Sequence, residues 1–250
     1  PFYLAAFTQP MMIREDCAAL DAADKLAGCR ARFALPADTI YLDGNSLGRM
    51  PKVSAARAKQ IVEEEWGNDL IRGWNKGWWD APQRVGDKIG KLIGAAPGQT
   101  LVNDTVSINL FKLAASALTL QPHRKCIITD TFNFPSDLYI LQGIKKLLSR
   151  SDIDTHPEDQ AKLLDHQIVR IGASDDDITP NIEQLEATLN ENTALVTLSH
   201  VVFKSGYMYD MQRITELAHA KGALVLWDLS HSVGSVPVHL DDCNADLAIG

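Results

Sequence analysis

The segment GALVLWDLSHSVG, residues 222–234, decides the fold of this chain. Its apolar run Ala223–Trp227 is typical of a buried β-strand, and Asp228 follows directly at the carboxyl end of that strand. Ligands of open α/β sheets bind just outside the carboxyl ends of the strands. The segment therefore predicts a parallel sheet in which Asp228, followed closely by His231, faces a ligand.

Strand-like and helix-like segments alternate through the rest of the chain. The other strand-like runs are Thr100–Val102, Cys126–Thr129, Gln167–Ile171 and Ala194–Leu198, and a further strand begins within Asp246–Gly250. The helix-like runs are Arg14–Arg32, Pro51–Trp66, Ala81–Gly94, Ser107–Leu118, Ser136–Leu148, Asn181–Leu189 and Met211–Ala220. Strands rich in Ile, Val and Leu separated by helices predict an α/β fold, with a mainly parallel sheet covered by helices on both faces.

The composition excludes several classes of function. Hydrophobic residues make up 46% of the 250 residues, and 24 basic against 32 acidic residues give a formal net charge of −8. Such a chain has no electrostatic reason to bind nucleic acid or an anionic membrane. No apolar run approaches the roughly 18 residues of a membrane-spanning helix. The four cysteines form no CxxC pair, which indicates a reduced, cytoplasmic protein with neither disulfides nor a metal site.

Polar residues follow the predicted strands and should converge along one edge of the sheet. They lie in Asn103–Thr105, Asp130–Asp137, Ser199–His200 and Asp228–His231. Hydroxyl, carboxyl and imidazole groups at one edge are what a small-molecule site needs. His200 is more simply explained as a histidine at the sheet edge than as a catalytic group.

Two of these turns enter helices. The segment Asn103–Leu110 runs from a predicted strand into a helix. The amide groups in the first turn of that helix suit a single phosphate, although Ser107 could be only an N-cap. In the turn Phe134–Asp137, Ser136 or Asp137 could simply cap the next helix; alternatively, Phe134 covers an aromatic cofactor and Asp137 approaches its polar edge. The chain contains neither GxGxxG nor GxxxxGK[ST], so a dinucleotide or Walker-type site is not indicated.

Two segments near the N-terminus allow alternative interpretations. The turn around Asn45-Ser46 is an ordinary turn or a close approach of the backbone to a ligand. Trp66–Trp79 contains four of the five tryptophans. It forms either one wall of a pocket for a flat ligand or a satellite cluster of the core.

Five motifs occur in order along the chain: YLDGNSLG (41–48), SINL (107–110), FPSD (134–137), SHV followed by SG (199–201 and 205–206), and WDLSHSVG (227–234). Together they resemble the kynureninase family of pyridoxal-phosphate (PLP) enzymes, which have the aspartate-aminotransferase fold, fold type I. The similarity runs from about Ile13 to Gly250. The resemblance implies that residues 51–250 are the PLP-binding large domain. Residues 12–50 would then be an arm or part of the small domain, after an uninformative extension, residues 1–11.

The resemblance also implies roles for particular residues. Val106 and Ser107 would hold the cofactor phosphate, and Phe134 would stack on the ring. Asp228 would be the catalytic partner of the pyridinium nitrogen. A carboxylate there keeps that nitrogen protonated and the ring able to accept electrons. The remaining cofactor-binding residues would be Pro135, Ser136, Asp137, Ser199 and His231, and the substrate-side residues would be Ser46 and Trp74.

The family's reaction is hydrolysis of L-kynurenine, and in some members 3-hydroxykynurenine, to anthranilate or 3-hydroxyanthranilate and L-alanine, in tryptophan catabolism. The family's Schiff-base lysine lies roughly two dozen residues after the position of Asp228, so we expect it in a longer chain. A homodimer is also implied. Two alternatives remain open at this point: another fold-type-I enzyme, such as a cysteine desulfurase-like protein, and a non-catalytic fragment.

Overall fold

The computed structural model describes residues 12–36, 38–148, 166–176 and 178–250. These residues form two compact units, one ending at Lys76 and the other beginning at Gly77. The predicted extension, residues 1–11, lies outside the described residues. Within the described part of the chain, no helix has the length and apolar character needed to cross a membrane.

The second unit contains a five-stranded sheet in which every strand pairing is parallel. The strands are β1 (Cys126–Asp130), β2 (Gln167–Ile171), β3 (Thr193–Ser199), β4 (Leu224–Asp228) and β5 (Leu247–Ile249), in the spatial order β2-β1-β3-β4-β5. Because β1, β3 and β4 are neighbours, their carboxyl ends lie side by side. The prediction of a mainly parallel sheet is confirmed.

Helices cover both faces of this sheet. The first unit contains α1 (Arg14–Ala23) and α2 (Lys52–Gln60), and the second contains α3 (Ala81–Ile93), α4 (Val106–Leu120), α5 (Pro135–Leu148), α6 (Ile182–Thr188) and α7 (Met211–Ala220). Helices α4 and α5 pack with Ile127, Leu195 and Leu226 on one face. Helices α3, α6 and α7 contribute to the cluster on the other face, with Ile128, Val196 and Val225. Adjacent strand residues thus point to opposite faces, as the two-residue period of a strand requires, and this explains why the strands read as continuous apolar runs.

One predicted strand is wrong. Thr100–Val102 has no regular secondary structure and does not join the sheet. Leu101 and Val102 are exposed, and the Val102 amide donates to the carbonyl of Pro82 at 3.3 Å, in the first turn of α3. The carbonyl of Thr100 lies so close to Gly86 that a Cβ atom there would come within 1.9 Å of it. The segment therefore packs along helix α3, and its apolar residues do not mark a sheet core.

The first unit has little buried surface of its own. Beyond α1 and α2, it contains short 3₁₀ segments at Ala27–Arg32 and Leu70–Lys76 and a π-helical turn at Ile61–Trp66. The helix predicted over Pro51–Trp66 is confirmed as α2 continued by that turn. Among the described residues of this unit, Gly73 alone is buried, and apolar side chains such as Leu42 and Val53 are exposed.

Candidate functional site

Three acidic or hydroxyl side chains end adjacent strands. Asp130 is the last residue of β1, Ser199 of β3 and Asp228 of β4. They are 1%, 2% and 3% exposed, respectively. Burial of polar side chains costs free energy unless hydrogen bonds compensate. The partners of these side chains therefore define what the site is built to hold.

Asp228 is held by hydroxyl and amide donors. Its Oδ1 accepts hydrogen bonds from the Ser230 amide at 2.9 Å and the Ser230 hydroxyl at 2.6 Å. Its Oδ2 lies 3.1 Å from the Ser199 hydroxyl, and that hydroxyl is also 2.8 Å from Asn133 Oδ1. This network fixes the orientation of the Asp228 carboxyl group and joins the ends of β3 and β4 to the turn that follows β1.

Asp137 is a second buried acid beside Asp228. It lies in the first turn of α5, is 1% exposed, and its Oδ2 has no hydrogen-bond partner. Burial raises the pKa of Asp137 to about 7, and the charge of Asp228 adds to this rise, against a hydrogen bond from Ser136. A buried acid near a like charge favours its protonated form. The pair is thus suited to a ligand that brings a donor or a positive charge between the two carboxyl groups.

Aromatic rings lie next to these acids. The Phe134 ring centroid lies 5.1 Å from that of Phe203 and 6.4 Å from that of His231, and Phe203 and His231 are 6.3 Å apart. Phe134 is 40% exposed, and the buried Nδ1 of His231 has no partner. Rings of this kind provide a surface on which a flat ligand can stack. The sequence prediction for Phe134 and His231 assigned them to the same site, whereas Phe203 was not predicted.

Asn133, Tyr209 and Asp130 also belong to this region. The sequence placed Asp130 and Asn133 within the polar segment after β1 but gave them no individual role, and it gave Tyr209 none. The Tyr209 hydroxyl donates to Asp130 Oδ2, and the Phe132 amide donates to Asp130 Oδ1 at 2.9 Å. Burial raises the pKa of Asp130, and the Tyr209 hydrogen bond opposes this rise. The Asp130–Tyr209 pair anchors the segment after β3 to the end of β1. A buried tyrosine ten residues beyond a strand end carries no sequence signal for such a contact.

His200 follows β3, and its contacts are those of a structural residue. Its amide donates to the Asp228 carbonyl at 2.9 Å, and its carbonyl accepts from the Tyr209 amide at 3.0 Å. Its ring packs edge-on against Trp227, and its buried Nδ1 has no hydrogen-bond partner. Burial lowers the pKa of His200. These contacts agree with the simpler interpretation, a histidine at the sheet edge.

Val106 and Ser107 begin α4, and the N-cap is Thr105 rather than Ser107. The Thr105 hydroxyl accepts from the Ile108 amide at 3.4 Å. The other end of α4 lies by the amino edge of the sheet, because Gln121, just beyond it, donates to the carbonyl of Gly222, which precedes β4. A 15-residue helix is about 22 Å long, so the first turn of α4 reaches towards the carboxyl edge of the sheet.

The other residues predicted to bind cofactor or substrate are Pro135, Ser136, Ser46 and Trp74. Pro135 and Ser136 open helix α5. Ser46 and Trp74 lie in the first unit, where the exposed Ser46 hydroxyl donates to Asp43 at 2.7 Å. Trp66, Trp74 and Trp79 are 62%, 47% and 75% exposed.

The site as a whole suits a flat ring with one hydrogen-bond donor on its edge. Phe134 and His231 offer faces, and Asp137 and Asp228 offer acceptor oxygens. Within the described residues, no group of three or more His, Cys, Asp or Glu side chains is arranged to hold a metal ion. The fold also carries first-turn amides of α4 toward the same edge, where they suit an anion.

The model of the aminotransferase class-V family matches residues 40–249. This chain belongs to the aminotransferase class-V family. The match includes the described site residues from Asp130 to His231, and also Ser46 and Trp74 of the first unit. The strand-end acids and the Phe134 turn are therefore parts of the family domain.

Similar proteins agree with the family. The kynureninase of Pseudomonas fluorescens is 46% identical over 245 residues, which cover 96% of this chain and 54% of that protein. The chain spans about half the length of the curated relatives it matches.

Two solved structures share the fold. The apo cysteine desulfurase of Thermococcus onnurineus NA1 superposes with a TM-score of 0.67 at 19% identity, over 96% of this chain and 53% of that one. A C-DES mutant with glycine covalently linked to its PLP cofactor gives 0.67 at 16% identity, over 87% and 53% of the two chains.

Proposed function

We propose that the complete protein is a PLP-dependent hydrolase that converts L-kynurenine to anthranilate and L-alanine, with 3-hydroxykynurenine as a second candidate substrate. The proposal is supported by 46% identity to a kynureninase over nearly the whole chain. The observation that carries it is the buried pair of acids, Asp228 and Asp137, with the 40%-exposed Phe134 in the same turn as Asp137. We further propose a cytoplasmic homodimer that acts in tryptophan catabolism.

The residues present fit PLP. Asp137 Oδ2 is buried without a partner, and Asp228 is oriented by Ser199 and Ser230. A protonated pyridine nitrogen is a donor that such acceptors bind well, since hydrogen bonds between charged groups are about twice as strong as neutral ones. The face of Phe134 matches the ring, and the first turn of α4 matches the phosphate. Val106 and Ser107 provide amides of that turn.

The chain's own side chains would control the position and protonation of the cofactor. When bound, PLP supplies an electron sink for the charge left at the substrate Cα. Asp228 holds a proton on the ring nitrogen, which keeps that sink effective. Phe134 and His231 orient the ring, and the buried surroundings of Asp137 and Ser199 exclude water. Ser46 and Trp74 are proposed as residues on the side of the substrate's aryl group.

We propose that residues 12–50 are an arm or part of a small domain, and that residues 51–250 belong to the PLP-binding large domain. The lysine that forms a Schiff base with the cofactor is expected in the complete protein rather than among these 250 residues.

The test is anthranilate release. The complete protein, purified with PLP, is incubated with L-kynurenine, and anthranilate is followed by its fluorescence. A parallel reaction with L-cysteine and detection of sulfide tests for cysteine desulfuration. Anthranilate without sulfide supports the proposal. PLP binding with sulfide release and no anthranilate would instead make the protein a desulfurase, and absence of PLP binding would leave the non-catalytic alternative.

A further inference from the structure

Asn133 lies at the centre of the hydrogen bonds around the site. It is 2% exposed. Its Nδ2 donates to Thr129 Oγ1 at 3.2 Å and to the Thr197 carbonyl at 3.5 Å. Its Oδ1 accepts from the Phe134 amide at 2.9 Å and from the Ser199 hydroxyl at 2.8 Å. One side chain thus links the ends of β1 and β3 to the turn that carries Phe134.

The chemistry of the partners fixes which way the Asn133 amide points. The Phe134 amide can only donate, so it must face the oxygen of the Asn133 side chain. The Thr197 carbonyl can only accept, so it must face the nitrogen. Both requirements give the same orientation, with Oδ1 directed at the Ser199 hydroxyl.

The Ser199 hydroxyl has two acceptors but one proton. Its oxygen lies 2.8 Å from Asn133 Oδ1 and 3.1 Å from Asp228 Oδ2. A hydroxyl group donates a single hydrogen bond, so the two acceptors compete for it. When Ser199 donates to Asn133, Asp228 Oδ2 is left to accept from another donor. When Ser199 donates to Asp228, that oxygen becomes a weaker acceptor for any ligand.

We propose that Asn133 is a positioning residue that competes with Asp228 for the Ser199 proton and thereby sets how strongly Asp228 accepts a hydrogen bond from the ring nitrogen of the cofactor. This inference rests on the proposed function. Among the described residues, the ionisable groups near Asp228 include Asp137 on α5, which interacts with it through charge, and His200, whose amide donates to the Asp228 carbonyl. His231 follows three residues after Asp228. Asn133 acts through Ser199 and need not touch the cofactor.

The proposal predicts opposite effects for two substitutions. Asn133→Ala leaves Asp228 as the acceptor for Ser199, so Asp228 holds the ring proton less strongly. Ser199→Ala removes the competing donor, so Asp228 holds the ring proton more strongly. Hydrogen bonds to charged groups contribute more free energy than those between neutral groups. Each substitution should therefore change the equilibrium constant for loss of the ring-nitrogen proton about three- to tenfold. Structural damage alone would move both variants in the same direction.

The experiment uses the complete protein loaded with PLP that carries nitrogen-15 in its ring. The nitrogen chemical shift is followed against pH to find the midpoint at which the ring loses its proton. PLP dissociation constants of the cofactor-free proteins are measured alongside by absorbance titration. The midpoint should fall in Asn133→Ala and rise in Ser199→Ala, relative to the unsubstituted protein. In the double variant, Asn133→Ala should change the ring-nitrogen equilibrium constant less than twofold relative to Ser199→Ala, because the Ser199 hydroxyl proton is already absent.

Thr129→Val is the matched control. It removes the Thr129 hydroxyl that accepts from Asn133 Nδ2 but leaves the competition at Asn133 Oδ1 in place. The proton equilibrium constant of the ring nitrogen should therefore change less than twofold. Shifts of the same sign in the two single variants, or independent effects in the double variant, would overturn the role of Asn133. If Asn133→Ala does not fold, a fall of the midpoint in Ser199→Ala overturns the proposal by itself. Failure of the unsubstituted protein to bind PLP or release anthranilate contradicts the proposed function instead.

Discussion

The acid Asp137 makes the stability of the cofactor-free protein depend on pH. Its pKa rises from 3.8 to about 7 on folding, chiefly through burial and secondarily through Asp228. Because the folded pKa is the higher one, the unfolded chain loses this proton first. The contribution of Asp137 to folding is therefore most favourable below pH 4 and is lost as the pH rises through 7.

The magnitude follows from the pKa change. One pKa unit corresponds to about 1.4 kcal/mol, so the full shift corresponds to about 4 kcal/mol. Roughly 2 to 3 kcal/mol of this is lost between pH 5 and pH 8. Asp137→Asn removes the ionisation but keeps the shape, so it should stabilise the cofactor-free protein, and by about 2 kcal/mol more at pH 8 than at pH 5. The same variant should bind PLP more weakly, because an amide neutralises no positive charge.

Urea unfolding of the complete, cofactor-free protein at the two pH values measures this difference. The control is Asp175→Asn, at an exposed acid, where the free energy of unfolding should change by less than about 0.5 kcal/mol at either pH. Equal effects of Asp137→Asn at pH 5 and pH 8, or a larger stabilisation at pH 5, would refute the reasoning.

Four further substitutions test other parts of the structure. Asp228→Ala in the complete protein should reduce kcat at least about a hundredfold and weaken PLP binding; near-normal kinetics would contradict its role. Tyr209→Phe leaves a buried oxygen of Asp130 without its donor and should lower the free energy of unfolding by about 1 to 3 kcal/mol, as urea titration would show. Gly94 ends α3 at φ 66°, and a Cβ there would come within 2.8 Å of backbone, so Gly94→Ala should cost at least about 1 to 2 kcal/mol. Gly143→Ala, in a helix with open space around it, should stabilise by up to about 1 kcal/mol; a loss there would count against the packing described for α5.

The paired strands and the helices between them were predictable because their signals are local. Continuous apolar runs mark strands buried on both faces, and the structure contains strands at 126–130, 167–171, 193–199 and 224–228. The Thr100–Val102 prediction was wrong because an apolar run does not say whether a neighbouring strand is present to pair with it. Its partner turned out to be helix α3.

The candidate site was predictable to the extent that chain direction fixes which residues gather at one edge. Asp228, Ser199 and the Phe134–Asp137 turn followed from their positions after strands, and the structure gives Ser199 and Asp228 a direct contact. Phe203 and Tyr209 were missed because their contacts with Phe134 and Asp130 join segments far apart in sequence. Asn133 lay within a turn already of interest, but its partners were visible only in three dimensions.

The sequence by itself determined the alternation of strands and helices, the edge at which polar groups collect, and, through its ordered motifs, the resemblance to a PLP enzyme family. These are properties of local pattern and chain direction. Only the tertiary structure decided that β1, β3 and β4 are neighbours, that Asp137 is buried close enough to Asp228 to sense its charge, and that Asn133 and Asp228 both lie within hydrogen-bond distance of the Ser199 hydroxyl. Burial and hydrogen-bond partners depend on segments that meet only when the chain folds, and these set the electrostatics of the site.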